Sequence, residues 1–128
     1  MTQLRYLDLI EVIEINRLAI KDADGLVDRT GLLSAVSRQW SGIGDQEFYP
    51  TLAAKAGALM HGIIQNHPFV DGNKRTGLAA AAALCMANGY DIVADEDHLV
   101  AFTFGVAEGR FTAEETGHQL DALLTPRT

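Results

Sequence analysis

One alanine-rich stretch limits the fold of this chain more than any other segment. Residues 76–88 contain six alanines, together with Leu78 and Leu84. Alanine has the lowest free-energy cost of any residue in an α-helix, and its small side chain lets neighbouring backbones approach closely. We therefore expect a helix here that ends at Gly89 and lies at the centre of a helical bundle.

Apolar residues also recur at helical spacing outside this stretch. The other predicted helices run from Leu4 to Ile20, from a cap at Asp28 to about Trp40, from Leu52 past Ile63, from a cap at Asp95 to Gly109, and from Thr112 through Leu124. In the second of them, Leu32, Leu33 and Val36 form one apolar face. The last opens with the spacing of a capping box, TAEE.

The breaks between these segments leave little room for a sheet. Residues 41–50 contain two glycines, Asp45 and Pro50, a composition that favours an exposed loop or a short hairpin. Residues 90–94 are expected to be extended. The predicted fold is therefore all-α, a compact single-domain bundle of about six helices with at most one short hairpin.

Composition and charge narrow the range of partners. A length of 128 residues with 48% hydrophobic residues fits one globular domain over residues 1–128. The formal net charge of -7 opposes broad attachment to nucleic acid or to an anionic membrane surface. We expect neither partner, and any anion site must be local.

The single cysteine and the lack of long apolar runs indicate the cellular compartment in which the protein is expected. Cys85 stands alone, so no internal disulfide can form, and its alanine-rich surroundings favour a buried thiol. The N-terminus lacks the pattern of a signal peptide, and no apolar run reaches the roughly 18 residues of a membrane span. These features predict a cytoplasmic protein.

The segment HPFVDGNKRTG, residues 67–77, carries the densest set of chemical groups. Its second half begins a predicted helix, where free backbone N–H groups and the positive end of the helix dipole favour an anion. Lys74 and Arg75 add side-chain donors. Gly72 permits a positive φ or a close approach of a ligand, and Asn73 can cap the helix and donate from its amide. Together these residues suit a phosphate.

Asp71 does not fit a bare phosphate site, because its carboxylate would repel the ligand. A magnesium ion removes this conflict, since Mg²⁺ binds through one or two carboxylates plus substrate phosphates. A nucleoside triphosphate is the natural ligand of such a set. His67 is the candidate general base, because histidine is the side chain that accepts a proton near neutral pH.

Each of these residues also has a purely structural interpretation. His67 alone could be a cap, Asp71 a turn residue, and Lys74 with Arg75 a solvated helix start. Phe69 is best explained as a core anchor of the loop. The convergence of the charged groups, rather than any one of them, favours the functional interpretation.

Competing motifs fail on spacing. A Walker loop requires Gly-Lys followed directly by Ser or Thr, whereas Asn73 precedes Lys74 here and Arg75 follows it. His61 and His67 are six residues apart, not the i, i+4 pair of a helical zinc site. The remaining histidines, His98 and His118, are interpreted as surface or cap residues.

The segment from His67 to Arg75 resembles the Fic motif, HxFx(D/E)GNGR, in the form HxFx(D/E)xNKR that marks the Doc, or death-on-curing, branch. Similarity extends from about Leu26 to Gly109 and includes Gly31-Leu32-Leu33, Tyr49-Pro50 and Asn88-Gly89-Tyr90. The resemblance implies a Fic/Doc domain. It also implies that residues 41–49 correspond to the target-docking flap of the family.

The resemblance further implies a function and a set of roles. Doc toxins are kinases that transfer the γ-phosphate of ATP to a threonine of elongation factor Tu and arrest translation. His67 would be the base and Asp71 the Mg²⁺ ligand. Gly72, Asn73, Lys74 and Arg75 would bind the phosphates, with Arg75 also catalytic. A Phd-type antitoxin is the implied partner, and no internal inhibitory motif (S/T)xxxE(G/N) is present.

Two alternatives remain at this stage. Lys74 stands where Fic adenylyltransferases have a second glycine that leaves room for the inner phosphates, so it argues against transfer of AMP. The same residues could nevertheless support adenylyl transfer. From a different class, the chain could be a non-catalytic module that binds a nucleotide or a partner.

Overall fold

The computed structural model describes residues 3–21 and 25–128, and within them it contains six α-helices. The helices are α1 (Leu9–Ile20), α2 (Arg29–Ser37), α3 (Leu52–Asn66), α4 (Asn73–Ala87), α5 (Glu96–Ala107) and α6 (Ala113–Asp121). A short 3-10 helix, Arg38–Trp40, extends α2. The all-α prediction is confirmed. None of the described helices is both long and apolar enough to cross a membrane.

Two small antiparallel sheets complete the described fold. Strands β1 (Gly42–Ile43) and β2 (Gln46–Glu47) form the hairpin expected between α2 and α3. Strands β3 (Tyr90–Ile92) and β4 (Leu124–Pro126) form a second sheet that was not predicted. The last helix was expected to run through Leu124. It ends at Asp121 instead, because the residues after it leave the helix to pair with β3.

Helix α3, not the alanine-rich α4, lies at the centre of the bundle. It packs against α2, α4, α5, α6 and the 3-10 helix, and ten of its fifteen residues are buried, compared with seven of fifteen in α4. A Cβ on Gly57 would overlap the backbone nitrogen of Gly117, and one on Gly62 would lie 2.8 Å from the Cβ of Ala35. The glycines of α3 thus allow close contact on two sides, an effect that was attributed to the alanines of α4.

Helix α1 begins later than predicted. It was expected from Leu4, but its N-cap is Asp8, whose side chain accepts a hydrogen bond of 2.8 Å from the Glu11 backbone N–H. The Glu11 carboxylate accepts one of 3.0 Å from the Asp8 N–H, which completes a capping box. The preceding residues 3–7 have no regular secondary structure, and the buried Gln39 side chain holds both backbone polar groups of Leu7.

The predicted caps at Asp28, Asp95 and Thr112 are confirmed, since each side chain accepts a hydrogen bond from a backbone N–H of its helix. The apolar face predicted for α2 is wrong in part. Leu33 is 52% exposed, whereas Leu32 is fully buried, because adjacent residues point about 100° apart around a helix.

Cys85 is a buried free thiol, as predicted. Burial raises its pKa to about 11, so the thiol stays protonated and unreactive near neutral pH.

Candidate functional site

The candidate base, His67, lies at the point where α3 ends. It has φ 46° and ψ 54°, a left-handed conformation that histidine adopts more readily than most residues. Pro68 follows and cannot continue the helix. The Asn66 amide donates to the Gly31 carbonyl over 2.9 Å and fixes the last turn. His67 is thereby directed out of the bundle and is exposed.

Phe69 anchors the loop in the core, as predicted. It is 2% exposed and forms an isolated antiparallel bridge with Leu26. The Pro68 carbonyl accepts hydrogen bonds from the backbone N–H groups of Val27 and Asp28, at 2.8 and 3.1 Å. The chain before α2 therefore holds the first half of the loop in place.

Asn73 braces the loop from within and is not the helix cap that was predicted. Gly72 occupies the N-cap position, and Asn73 is the first residue of α4. The Asn73 Oδ1 accepts from the Phe69 N–H at 3.0 Å, and its Nδ2 donates to the Phe69 carbonyl at 2.9 Å. The same Nδ2 lies 3.3 Å from Nδ1 of His67. Asn73 is 8% exposed, and both polar atoms of its side chain are in use within the loop.

Gly72 is required at the start of α4 for two reasons. Its φ is 77°, and a Cβ there would lie 2.7 Å from Cγ2 of Ile20. None of the described side chains caps this helix start. The first-turn N–H groups and the positive dipole end are thus left for an anion.

The loop forms one wall of a cavity of about 540 Å³, a volume within the usual range of small-molecule sites. Helix α5 forms the opposite, mainly apolar wall. The lining residues are Ile20, His67, Val70, Asp71, Gly72, Asn73, Lys74, Arg75, Leu78, Leu99, Val100, Thr103 and Phe104. All six residues that the sequence singled out as catalytic, phosphate-binding or metal-binding therefore line one cavity.

The two cations are oriented by neighbouring elements. Nζ of Lys74 lies 5.3 Å from the ring centroid of Phe104 on α5, a cation–π contact across the cavity. Nη1 of Arg75 donates to the Ala19 carbonyl at 3.0 Å, near the end of α1. Since a guanidinium has five donors in a rigid fork, this bond orients Arg75 and leaves other N–H groups for a phosphate.

Among the residues that the structure describes, Asp71 supplies the one carboxylate that lines the cavity. Its Oδ1 accepts from the Gly72 N–H at 2.7 Å, which leaves the other oxygen for a cation. The described residues include no group of three or more His, Cys, Asp or Glu side chains that could hold a metal. A magnesium ion that gains its other ligands from nucleotide phosphates and water fits this donor set.

Comparison with known proteins agrees with the motif. The model of the Fic/DOC family matches residues 6–85. The chain is 37% identical over 92 residues to the protein named Toxin Doc of Mycolicibacterium smegmatis, an alignment that covers 72% of this chain and 71% of the relative. The chain belongs to the Fic/Doc family. The resemblance to the Doc branch that was drawn from residues 67–75 is confirmed.

The hairpin precedes α3 and this Fic/Doc loop follows it, and the fifteen residues of α3 give the helix a length of about 22 Å. None of the described hairpin residues lines the cavity at the loop. Residues 48–51 instead line a second cavity, of about 380 Å³, together with α6. The comparison of residues 41–49 with a target-docking flap gains no support from this position.

Sequence reasoning missed two contributions to the site. Asn16 and Ile20 of α1 support the loop from behind, and Val100 and Phe104 of α5 face it across the cavity. One signal for Asn16 was available, because it lies four residues from both Val12 and Ile20 in an otherwise apolar stripe. Val100 and Phe104 share the same i, i+4 spacing on α5.

Proposed function

We propose that this protein is the toxin of a toxin–antitoxin pair and acts as a protein kinase. It would use Mg²⁺ and ATP to phosphorylate a hydroxyl of a translation factor, with a threonine of elongation factor Tu as the proposed target. The observation that carries the proposal is the single cavity in which an open helix N-terminus, two cations, one carboxylate and an exposed histidine meet.

The nucleotide would lie across the cavity with its phosphates at the start of α4. Backbone N–H groups at Asn73, Lys74 and Arg75 and the side chains of Lys74 and Arg75 supply the phosphate donors, and Gly72 lets the phosphates approach the backbone closely. The apolar wall of α5, where Val100 and Phe104 are half exposed, offers a surface for the base. When bound, Mg²⁺ offsets the charge of the phosphates, and Asp71 is the side chain that would hold it.

His67 would act on the hydroxyl of the target. The hydroxyl oxygen forms a bond to the γ-phosphorus while the bond from that phosphorus to the bridging oxygen of ADP breaks, and the proton passes to the imidazole. The left-handed backbone of His67 places this ring on the exposed rim of the cavity. The contact of 3.3 Å with Asn73 is long for a hydrogen bond and restrains the ring only weakly.

Lys74 favours transfer of the γ-phosphate over transfer of AMP. It extends across the cavity to Phe104 and occupies space that a glycine at this position would leave free. Adenylyl transfer is the second candidate function, because the remaining residues of the loop match that chemistry equally well.

Two further proposals come from the family and the named relative. Activity would be restrained in trans by an antitoxin of the Phd type, since a free translation-arresting toxin would harm its own cell. The enzyme would act in the cytoplasm, where translation factors are found.

The test is to incubate the purified protein with magnesium and elongation factor Tu in two parallel reactions, with α-labelled and with γ-labelled ATP. Label transferred only from the γ position would support a kinase, and His67→Ala should abolish it. Label from the α position would make the protein an adenylyltransferase. No label from either ATP would overturn elongation factor Tu as the target.

A further inference from the structure

A buried amide on α1 contacts the back of the Fic/Doc loop. Asn16 is 1% exposed, and its Nδ2 donates to the Asp71 carbonyl and to the Thr76 hydroxyl, each at 3.0 Å. Asp71 precedes α4 and Thr76 lies in its first turn. One side chain from a distant part of the sequence thus joins the loop to the helix that follows it.

The orientation of this amide is fixed by its partners. A backbone carbonyl can only accept, so Nδ2 rather than Oδ1 must face Asp71. Oδ1 of Asn16 is then buried, and no described residue gives it a hydrogen bond. An unpaired buried oxygen destabilises a protein, and the position lies in an apolar stripe where leucine would avoid that cost. If the two hydrogen bonds that Nδ2 donates serve the function of the loop, the presence of asparagine at position 16 is explained.

The bond to Asp71 acts on a single peptide group. The carbonyl that Asn16 holds belongs to the peptide between Asp71 and Gly72. The N–H of the same peptide donates to Oδ1 of Asp71 at 2.7 Å. Because a peptide group is planar, fixing its carbonyl also fixes the direction of its N–H, and through it the carboxylate.

We propose that Asn16 is a positioning residue that orients the Asp71 carboxylate for a nucleotide-bound magnesium ion. This inference rests on the proposed function, because it concerns the metal of that site. Asn16 touches neither ion nor nucleotide and acts through the Asp71–Gly72 peptide. Groups that orient metal ligands in this way typically change metal affinity by about 10- to 100-fold when they are removed.

The test compares Asn16→Leu, which keeps the branching of the side chain but removes both donors, with Thr76→Val, which removes only the bond to the helix. ATP binding is titrated with Mg²⁺ by calorimetry. The Mg²⁺ midpoint is the Mg²⁺ concentration that gives half of the maximal change in ATP affinity. Asn16→Leu should raise this midpoint by about 10-fold or more, and ATP affinity without Mg²⁺ should stay unchanged. Thr76→Val should leave the Mg²⁺ midpoint within about twofold of wild type, since it retains the bond to Asp71.

Amide hydrogen exchange gives a second measurement that needs no ligand. In Asn16→Leu the Gly72 amide should exchange faster, while core amides of α3 keep wild-type rates. If leucine prevents folding, Asn16→Ala removes the same donors without added bulk. Exchange that rises throughout the protein, or not at all, would overturn the positioning role.

Different results would overturn the proposed function and the positioning role of Asn16. A wild-type protein whose ATP binding ignores Mg²⁺ would overturn the metal role of Asp71 and this inference with it. A Mg²⁺-dependent wild type together with an unchanged midpoint in Asn16→Leu would overturn the role of Asn16 alone. An equal shift of the Mg²⁺ midpoint in Thr76→Val would also overturn the role of Asn16, because the shift would then come from the general packing of α1.

Discussion

The two ends of α3 bury polar groups in opposite ways. At the hairpin end, Lys55 is 1% exposed and its ammonium is paired within the protein. Nζ donates to the Gln39 carbonyl at 2.7 Å and to the Glu47 carboxylate at 2.6 Å, and it lies 5.6 Å from the ring centroid of Tyr6. A charge that is buried and paired in this way is closed to a ligand from outside.

At the loop end the arrangement is reversed. The buried polar side chains are neutral, those of Asn16, Asn73 and Thr76, whereas Asp71, Lys74 and Arg75 are exposed around a cavity. Neutral amides brace the loop without the large desolvation cost of a buried charge, and the charges keep free donors and acceptors. The comparison teaches that the hairpin end should govern stability and the loop end should govern binding.

The largest expected effect is on catalysis at the loop end. Arg75→Ala should lower the rate of label transfer by about 10³-fold or more, since an arginine that stabilises phosphoryl transfer contributes about that much. The effect should at least equal that of His67→Ala, because a general base typically contributes about 10²- to 10⁴-fold. Arg110→Ala is the matched control, as that arginine has only an exposed ion pair with Glu108. Near wild-type turnover in Arg75→Ala would refute the assigned role.

The next largest effect is on stability at the hairpin end. Lys55→Ala should lower the free energy of unfolding by about 3 kcal/mol, because it leaves the buried Gln39 carbonyl without its donor and opens a cavity. Glu47→Gln should cost much less, since Glu47 is partly exposed and an amide oxygen can still accept. Urea unfolding measures both. ATP affinity should not change in either variant, and a loss of it would break the division between the two ends.

A smaller effect is expected from replacing glycines, and a comparison of two glycines distinguishes the cost of backbone strain from the cost of poor packing at the loop. Gly109 and Gly72 have similar φ angles, 80° and 77°, but only Gly72 has a neighbour, Ile20, at the position of a Cβ. Gly109→Ala should cost about 1–2 kcal/mol of stability from strain alone. Gly72→Ala should cost more and should also weaken ATP binding, because Ile20 and the loop must move apart. Equal costs and unchanged binding would show that the contact with Ile20 has no role.

The smallest effect concerns pH and His61, in the middle of α3. Burial, and then the positive charge of Arg38 at 3.0 Å, lower the pKa of His61 from its ordinary 6.5. Below about pH 6.5 the unfolded chain therefore binds a proton that the folded protein does not, and stability falls until the lower folded pKa is reached. His61→Gln should remove this part of the pH dependence. The same decline in both proteins would assign it to other groups.

The sequence predicted those features that depend on residues close together in the chain, and it missed those that depend on residues far apart in it. The caps at Asp28 and Asp95 were predicted correctly, because neighbouring residues determine them. The candidate residues of the loop are close in sequence, and the structure shows that they line one cavity. The central position of α3 was missed, since it depends on Gly57 meeting Gly117 of α6. The role of Asn16 was missed for the same reason, because its partner Asp71 is 55 residues away.

The most direct test of the account is a titration of the isotopically labelled protein with Mg²⁺ and ATP, followed by the backbone amide resonances. Binding at the loop end predicts saturable shifts at Gly72, Lys74 and Arg75 and at Phe104 across the cavity, while the hairpin amides of residues 42–47 stay unchanged. Shifts confined to the hairpin and the second cavity, or no saturable shift at all, would contradict the claim that the start of α4 is the nucleotide site.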